Sequence, residues 1–223
     1  MEIIITSLAQ HIANPNSDRY KLIQKNKTLY PQIQVARSIN GFDRNEVLSV
    51  LRNSNLKLFN NSTSLGTVAC FLTKILIWKN QIERQIPHVC ILEDDLELNS
   101  NFLPFVFSRL YLLQDKKVNV LRFADYAECY VTSLESAKRL IKIIEEKGIF
   151  DHIDAELSSP GFGEIAVNGS KGNPRDPRWI NNEHVGFEYD IFKLKAESNE
   201  GDIKQTEYLP DIMRRRPYFI KMR

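Results

Sequence analysis

Cysteine is scarce in this sequence: three residues in 223, Cys70, Cys90 and Cys129, each beside apolar neighbours. An odd, widely spaced set excludes a disulfide framework. It also excludes a zinc site, whose ligands come in pairs at short spacing. Buried thiols kept reduced are the expectation. Charge of one sign is lacking as well. Lys and Arg number 30 and Asp and Glu 28, a formal net charge of +2, so bulk electrostatics call for neither nucleic acid nor an acidic membrane as partner. Long apolar runs are missing too. The opening run Ile3 to Ile5 is short, no basic segment precedes it, and no stretch is long enough to span a bilayer, so a cytoplasmic protein is expected.

What is present suits one ordinary globular domain over residues 1–223. Hydrophobic residues make up 43% and charged residues 26%, with no internal repeat and no linker that divides the chain. A domain of this length buries roughly 70% of its unfolded surface, enough for a core without cross-links.

Strands and helices alternate along the chain. Glu2–Thr6 and Gln32–Ala36 read as strands, with a helix from Asp18 to Lys25 between them. Asn45–Arg52 is a short amphipathic helix. Leu65–Arg84 is the longest helical candidate, with Phe71, Leu72, Ile75, Leu76 and Trp78 at 3–4 spacing and a start at Gly66 or Thr67. His88–Glu93 is a continuous apolar run, as a strand buried on both faces requires. Phe102–Leu113 reads as a helix and Val118–Phe123 as another buried strand. Thr132-Ser133-Leu134-Glu135 has the form of a capping box for a helix that ends at Gly148. Asp151 to Asn182 is polar and rich in Gly and Pro, hence loops, and Gly186–Lys195 is a late strand. The pattern implies an α/β fold, a mainly parallel central sheet flanked by helices.

In open α/β sheets ligands bind beyond the carboxyl ends of the strands. That rule singles out Glu93-Asp94-Asp95, three carboxylates where the buried strand His88–Glu93 emerges. On an extended backbone Glu93 and Asp95 share a face. Adjacent carboxylates repel one another unless something compensates, and hard oxygen ligands suit magnesium or manganese. The plainer reading is a solvated acidic loop, against which the buried strand leading into it weighs.

Several segments resemble glycosyltransferase family 25, which includes bacterial lipooligosaccharide and collagen hydroxylysine galactosyltransferases. The opening strand with Asp18-Arg19 is similar to the family's start. Ser38-Ile39-Asn40-Gly41-Phe42-Asp43 resembles its Ala-x-Asp-Gly turn, and Ile91-Leu92-Glu93-Asp94-Asp95 matches its Leu-Glu-Asp-Asp. Gly66 to Trp78 resembles Gly-x-x-Gly-Cys-x-x-Ser-His-x-x-x-Trp, but with Ala69 for the second glycine, Thr73 for the serine and Lys74 for the histidine. Glu128 to Ser133, followed by Ala137, is similar to its Ala-Tyr-x-Ile-Ser-x-x-Gly-Ala segment.

The resemblance implies a GT-A fold, a nucleotide-sugar donor, a glycan or glycoprotein acceptor, manganese or magnesium, and inversion at the anomeric carbon. It makes Asp95 the direct metal ligand, with Glu93 and Asp94 sharing the ion, its waters and the ribose, and His184 a candidate to close the shell, a surface or hydrogen-bonded histidine being its plainer role. Glu93, Asp94, Arg19 and Lys74 then face the donor. Asp154 and Asp190 fit the family pattern best as base for the acceptor hydroxyl, with Glu156 and Glu164 as further candidates and a loop acid or cap as the plainer role for each. Trp179 and Tyr189 are candidates to stack on a sugar, or core residues. The basic tail Arg214-Arg215-Arg216, Lys221 and Arg223 is taken as solvated, with closure over the diphosphate or peripheral membrane contact as its alternatives. Two rivals remain. A nucleotidyltransferase needs a glycine-rich phosphate loop after the first strand, where Leu8-Ala9-Gln10-His11 stands. A non-catalytic binding domain is favoured only by loss of the family histidine.

Overall fold

The computed structural model of the chain describes residues 1–54, 56, 64–123, 128–149, 153, 157, 162–166 and 192–195. The first strand, β1 (Glu2–Ser7), is followed by a one-turn helix α1 (Ala9–Ala13), by α2 (Asp18–Leu29) and by β2 (Ile33–Arg37). Next come α3 (Arg44–Asn53), α4 (Leu65–Glu83) and β3 (His88–Glu93). The acidic turn leads into β4 (Leu96–Leu98), α5 (Phe102–Phe107) and β5 (Val120–Arg122). The rest is β6 (Cys129–Ser133), α6 (Leu134–Lys147), β7 (Glu164–Ala166) and β8 (Phe192–Lys195).

Six strands form one sheet in the order β2-β1-β3-β6-β5-β7. β1 runs parallel to β2 and β3, and β5 to β7, while β6 is antiparallel to both its neighbours. Five strands therefore point one way and β6 alone is reversed, which is the mainly parallel α/β sheet expected. Alternation sorts the side chains. Ile4, Val89, Ile91, Val120 and Tyr130 pack on one face with α3, α4 and α6, whereas Ile3, Ile5, Cys90, Leu92, Leu121 and Val131 pack on the other. Both faces of β3 are thus covered, as its unbroken apolar run requires.

Helix α4 is mostly buried, thirteen of its nineteen residues lying inside. Burial of Phe71, Leu72, Ile75 and Trp78 contributes about 1.5–3 kcal/mol each, and all four are at most 1% exposed. Trp78 meets Tyr130 of β6 edge to face, ring centroids 6.3 Å apart. Leu76, assigned to the apolar face by spacing, instead points outward at 45% exposure.

Other boundaries also move, each for a local reason. The cap of α4 is Ser64, which accepts from Thr67 N at 3.2 Å, ahead of the Gly66 or Thr67 start. The cap of α6 is Ser133, accepting from Ser136 N at 3.1 Å, and not Thr132. Thr132 is drawn away because its hydroxyl donates to Gln81 Oε1 of α4 at 2.9 Å. The helix expected over Phe102–Leu113 breaks after Phe107. Ser108 Oγ donates to Phe105 O at 2.7 Å, Arg109 N donates to Val106 O at 3.0 Å, and the chain tightens into a 3-10 turn at Leu110–Gln114. Strand β7 corrects the loop reading of Asp151 to Asn182. None of the three cysteines is in a disulfide. Cys90 and Cys129 are buried, and burial, reinforced by a hydrogen bond with Cys90, pushes the Cys129 thiol up, so it stays protonated. No helix among the described residues is long and apolar enough to cross a membrane.

Gly163 starts the β7 edge with φ of 68°, and its carbonyl accepts from Asn119 N at 2.6 Å. A Cβ built there falls 2.2 Å from the Lys117 carbonyl oxygen. Gly163→Ala is expected to destabilise the chain by about 2 kcal/mol or more, read as a lower midpoint in urea. An unchanged midpoint would contradict the β5–β7 pairing.

Candidate active site at the carboxyl ends of β1 and β3

The carboxyl ends of β1, β2 and β3 open on a cavity of about 150 Å3. Thr6 and Ser7 of β1 line it, as do Ser38, Ile39, Gly41 and Phe42 after β2, Glu93 and Asp94 at the end of β3, and Gly66, Cys70, Thr73 and Lys74 of α4. Arg19 of α2 and His11 of α1 complete the wall. Gly66 belongs to the first turn of α4, so the positive end of the helix dipole sits at the cavity.

Lys74 is the most constrained group here. Its residue is 1% exposed, yet it reaches the cavity wall. The ammonium donates to Thr6 Oγ1 at 3.0 Å and pairs with Glu93 Oε1 at 3.3 Å. The Thr6 hydroxyl in turn donates to Leu92 O at 3.2 Å. Register explains the meeting: Thr6 and Glu93 are direct partners across β1 and β3, on the face that α4 covers. One turn before Lys74, the half-buried Cys70 thiol donates to Glu93 Oε1 at 3.9 Å, so this cysteine packs against the core and also lines the cavity.

Asp94 turns the other way. Ser7 Oγ donates to one of its oxygens and Arg19 Nη1 to the other. Asp95 Oδ2 lies 3.8 Å from the same guanidinium nitrogen. β3 ends at Glu93 and Asp94-Asp95 form a turn, so the i, i+2 alternation that put Glu93 and Asp95 on one face stops there. Glu93 and Asp94 line the cavity, and Asp95 is not part of its wall. Asn26 of α2 fixes the exit from the turn, with its Nδ2 on Leu96 O at 2.7 Å and its Oδ1 accepting from Leu98 N at 2.9 Å. Lys25 pairs with Glu97 at 2.7 Å.

The acidic turn is therefore compensated by the protein's own cations, Lys74 and Arg19. The donor chemistry of Glu93, Asp94 and Asp95, hard carboxylate oxygens, fits magnesium or manganese. Among the described residues no three His, Cys, Asp or Glu side chains are grouped to hold an ion.

Asp154, Glu156, Trp179, His184, Tyr189, Asp190 and the tail from Arg214 lie outside the described residues. Glu164 opens β7 opposite Val120, at the amino end of β5 and away from the carboxyl ends that carry the cavity. Sequence reasoning missed Thr6 and Ser7, and named Thr73 only as the residue standing for the family's serine. The first two had a readable signal, since they are the polar residues at the carboxyl end of an apolar strand.

The profile of glycosyltransferase family 25 (LPS biosynthesis protein) matches residues 1–149. The chain belongs to this family. The match takes in the whole described cavity wall of this family 25 glycosyltransferase. A search among curated proteins gave no match. Among solved structures, the chain is similar to a glycosyltransferase involved in glycosylation of the major capsid of PBCV-1, at 12% identity, with 74% of this chain and 79% of that one covered and a TM-score of 0.39. It is also similar to an active-site mutant of LgtC, at 10% identity, with 87% of each covered and a TM-score of 0.45. A cytidylyltransferase from Leptospira borgpetersenii serovar Hardjo-bovis overlaps at 16% identity, 98% and 95% coverage and a TM-score of 0.36. None of the three superpositions bears on the assignment, which rests on the family match.

Thr73 ties α4 to the loop after β2. Its hydroxyl accepts from Ile39 N at 3.0 Å and donates to Ala69 O at 2.8 Å. Thr73→Val leaves the buried Ile39 amide without that acceptor, at a cost of about 1–3 kcal/mol. The expected result is faster hydrogen exchange at Ile39 and a lower urea midpoint, with Thr73→Ser, which keeps the hydroxyl, losing less. Equal losses in the two variants would show that the hydroxyl does not hold the loop.

Proposed function

We propose that this family 25 enzyme is a GT-A-like, metal-dependent transferase that moves a sugar from a nucleotide-sugar donor, UDP-linked by preference, to a hydroxyl of a glycan or glycoprotein. The observation that carries this reading is the cavity wall itself. It places Lys74, Arg19 and the first turn of α4 on one cavity at the carboxyl ends of β1 and β3. A diphosphate is the ligand such a wall suits, because an ammonium, a guanidinium and a helix N-terminus all favour anionic oxygens.

Lys74 and Arg19 bind and orient the diphosphate in this scheme, with Glu93 and Asp94 sharing the metal, its waters and the ribose. Asp95, with Glu93 and His184, would hold manganese or magnesium, which when bound supplies positive charge to the departing diphosphate. Inversion requires attack on the anomeric carbon from the face opposite the leaving group. Asp154 or Asp190 takes the proton from the acceptor hydroxyl as its oxygen attacks, a contribution of about 10² to 10⁴-fold. The anomeric configuration of the product, read by NMR, tests inversion.

The donor is found with a thermal-shift panel of UDP-, GDP-, CMP- and dTDP-sugars, with and without manganese. One nucleotide is expected to raise Tm by about 5–10 °C at roughly 100 times its Kd, only when manganese is present. Asp95→Asn should abolish the manganese-dependent part. No shift with any donor, or an unchanged shift in Asp95→Asn, would sink the site as drawn. A shift without sugar transfer to any acceptor or to water would mark a binding domain.

A further inference from the structure

Between β4 and β5 the chain covers one face of the sheet with α5 and the 3-10 turn. Phe102, Phe105, Val106 and Leu113 of this segment are buried against that face. Phe107 and Tyr111 are not. At 52% and 59% they are the most exposed large apolar side chains among the described residues. Half-buried Leu103, Leu110 and Leu112 of the same segment extend the apolar surface.

The charge beside these rings is nearly all of one sign. Residues 101–118 carry Arg109, Lys116 and Lys117 against a lone acid, Asp115, whose Oδ1 accepts from Lys117 N at 2.8 Å. Among the described residues none of the three cations forms an ion pair. The Arg109 guanidinium lies 4.8 Å from the centre of the Phe105 ring, with Nη1 donating to Ser108 Oγ at 2.6 Å, and both lysines are exposed. By contrast Lys25, Arg37, Arg84 and Lys138 each reach a carboxylate at 2.7–2.9 Å. The segment thus combines two rings left in water with three cations left without a counter-charge.

We propose that this face is a docking surface for an anionic lipid bilayer, with Phe107 and Tyr111 entering the headgroup region and Arg109, Lys116 and Lys117 meeting lipid phosphates. Aromatic rings settle at the boundary between headgroup and acyl chain, and a tyrosine there keeps its hydroxyl in the wet layer. Lysine decides between a bilayer and a protein as the occupant. Protein interfaces are depleted of it, whereas an anionic leaflet attracts each basic residue near its surface. The two contributions need one another, because neither a pair of rings nor three cations alone holds a protein firmly to a membrane. Such docking is peripheral, and it does not depend on what the cavity at the carboxyl ends of β1 and β3 binds.

The test is cosedimentation of the full chain with vesicles of phosphatidylcholine mixed with phosphatidylglycerol, and with vesicles of phosphatidylcholine alone. Binding is expected to the mixed vesicles and to weaken with added salt. Phe107→Ser combined with Tyr111→Ser should weaken it by about tenfold or more. Lys116→Gln and Lys117→Gln should each weaken it by about fivefold. Circular dichroism checks the fold of every variant, and the lysine variants carry the test if the serine variant does not fold. Equal binding to both kinds of vesicle, or to neither, overturns the proposal. So does undiminished binding in the folded variants, which would move the contact to the basic tail at Arg214-Arg215-Arg216. Sedimentation without vesicles that Phe107→Ser abolishes would make this face an interface between copies of the chain, and would equally overturn it.

Discussion

A lysine ammonium with 1% of its side chain exposed must find its compensation inside the protein, and the ligand end of this sheet is organised around that need. Lys74 reaches Thr6 and Glu93 only because β1 and β3 run parallel in a register that sets those two residues side by side. It reaches the cavity only because α4 is held flat against that face by Phe71, Ile75 and Trp78. Shift the register by one residue and Thr6 and Glu93 would turn to the opposite face, leaving the ammonium without either partner.

The second cation follows a similar logic from the other side. Arg19, on α2, pairs with Asp94 across 75 residues of sequence, and Ser7 holds the remaining Asp94 oxygen. Asn26, two turns further along α2, grips the backbone of β4 on both sides and so fixes where the acidic turn ends. One helix thus sets both the charge partner and the backbone path of the turn.

Much of this was legible in the residues. A run of apolar side chains ending in three acids read as a buried strand that leads into a site, and the helix bearing Phe71, Ile75 and Trp78 announced itself by spacing. The family segments were readable too, and the profile match over residues 1–149 bears them out. The conformation of the acidic turn was not. An extended backbone pairs Glu93 with Asp95, whereas the turn at Asp94-Asp95 splits the three carboxylates between Lys74 and Arg19. Nothing local encodes that split, because its causes, Ser7, Arg19, Asn26 and Lys74, are distant in sequence. Ser133 displaced Thr132 as cap for a similar reason, since Gln81 on another helix claims the threonine hydroxyl. Short strands escaped as well: β4 and β7 have three residues each, too few for a period to show.

The central claim is that the cavity beside Lys74 and the acidic turn is where donor diphosphate and cation meet. A crystal structure of the chain with UDP and manganese tests it most directly. The account predicts an anomalous manganese peak at ligand distance from carboxylates of the Glu93-Asp94-Asp95 turn, with the diphosphate against Lys74 and Arg19. Nucleotide bound away from β1 and β3, or manganese bound away from the acidic turn, would contradict it.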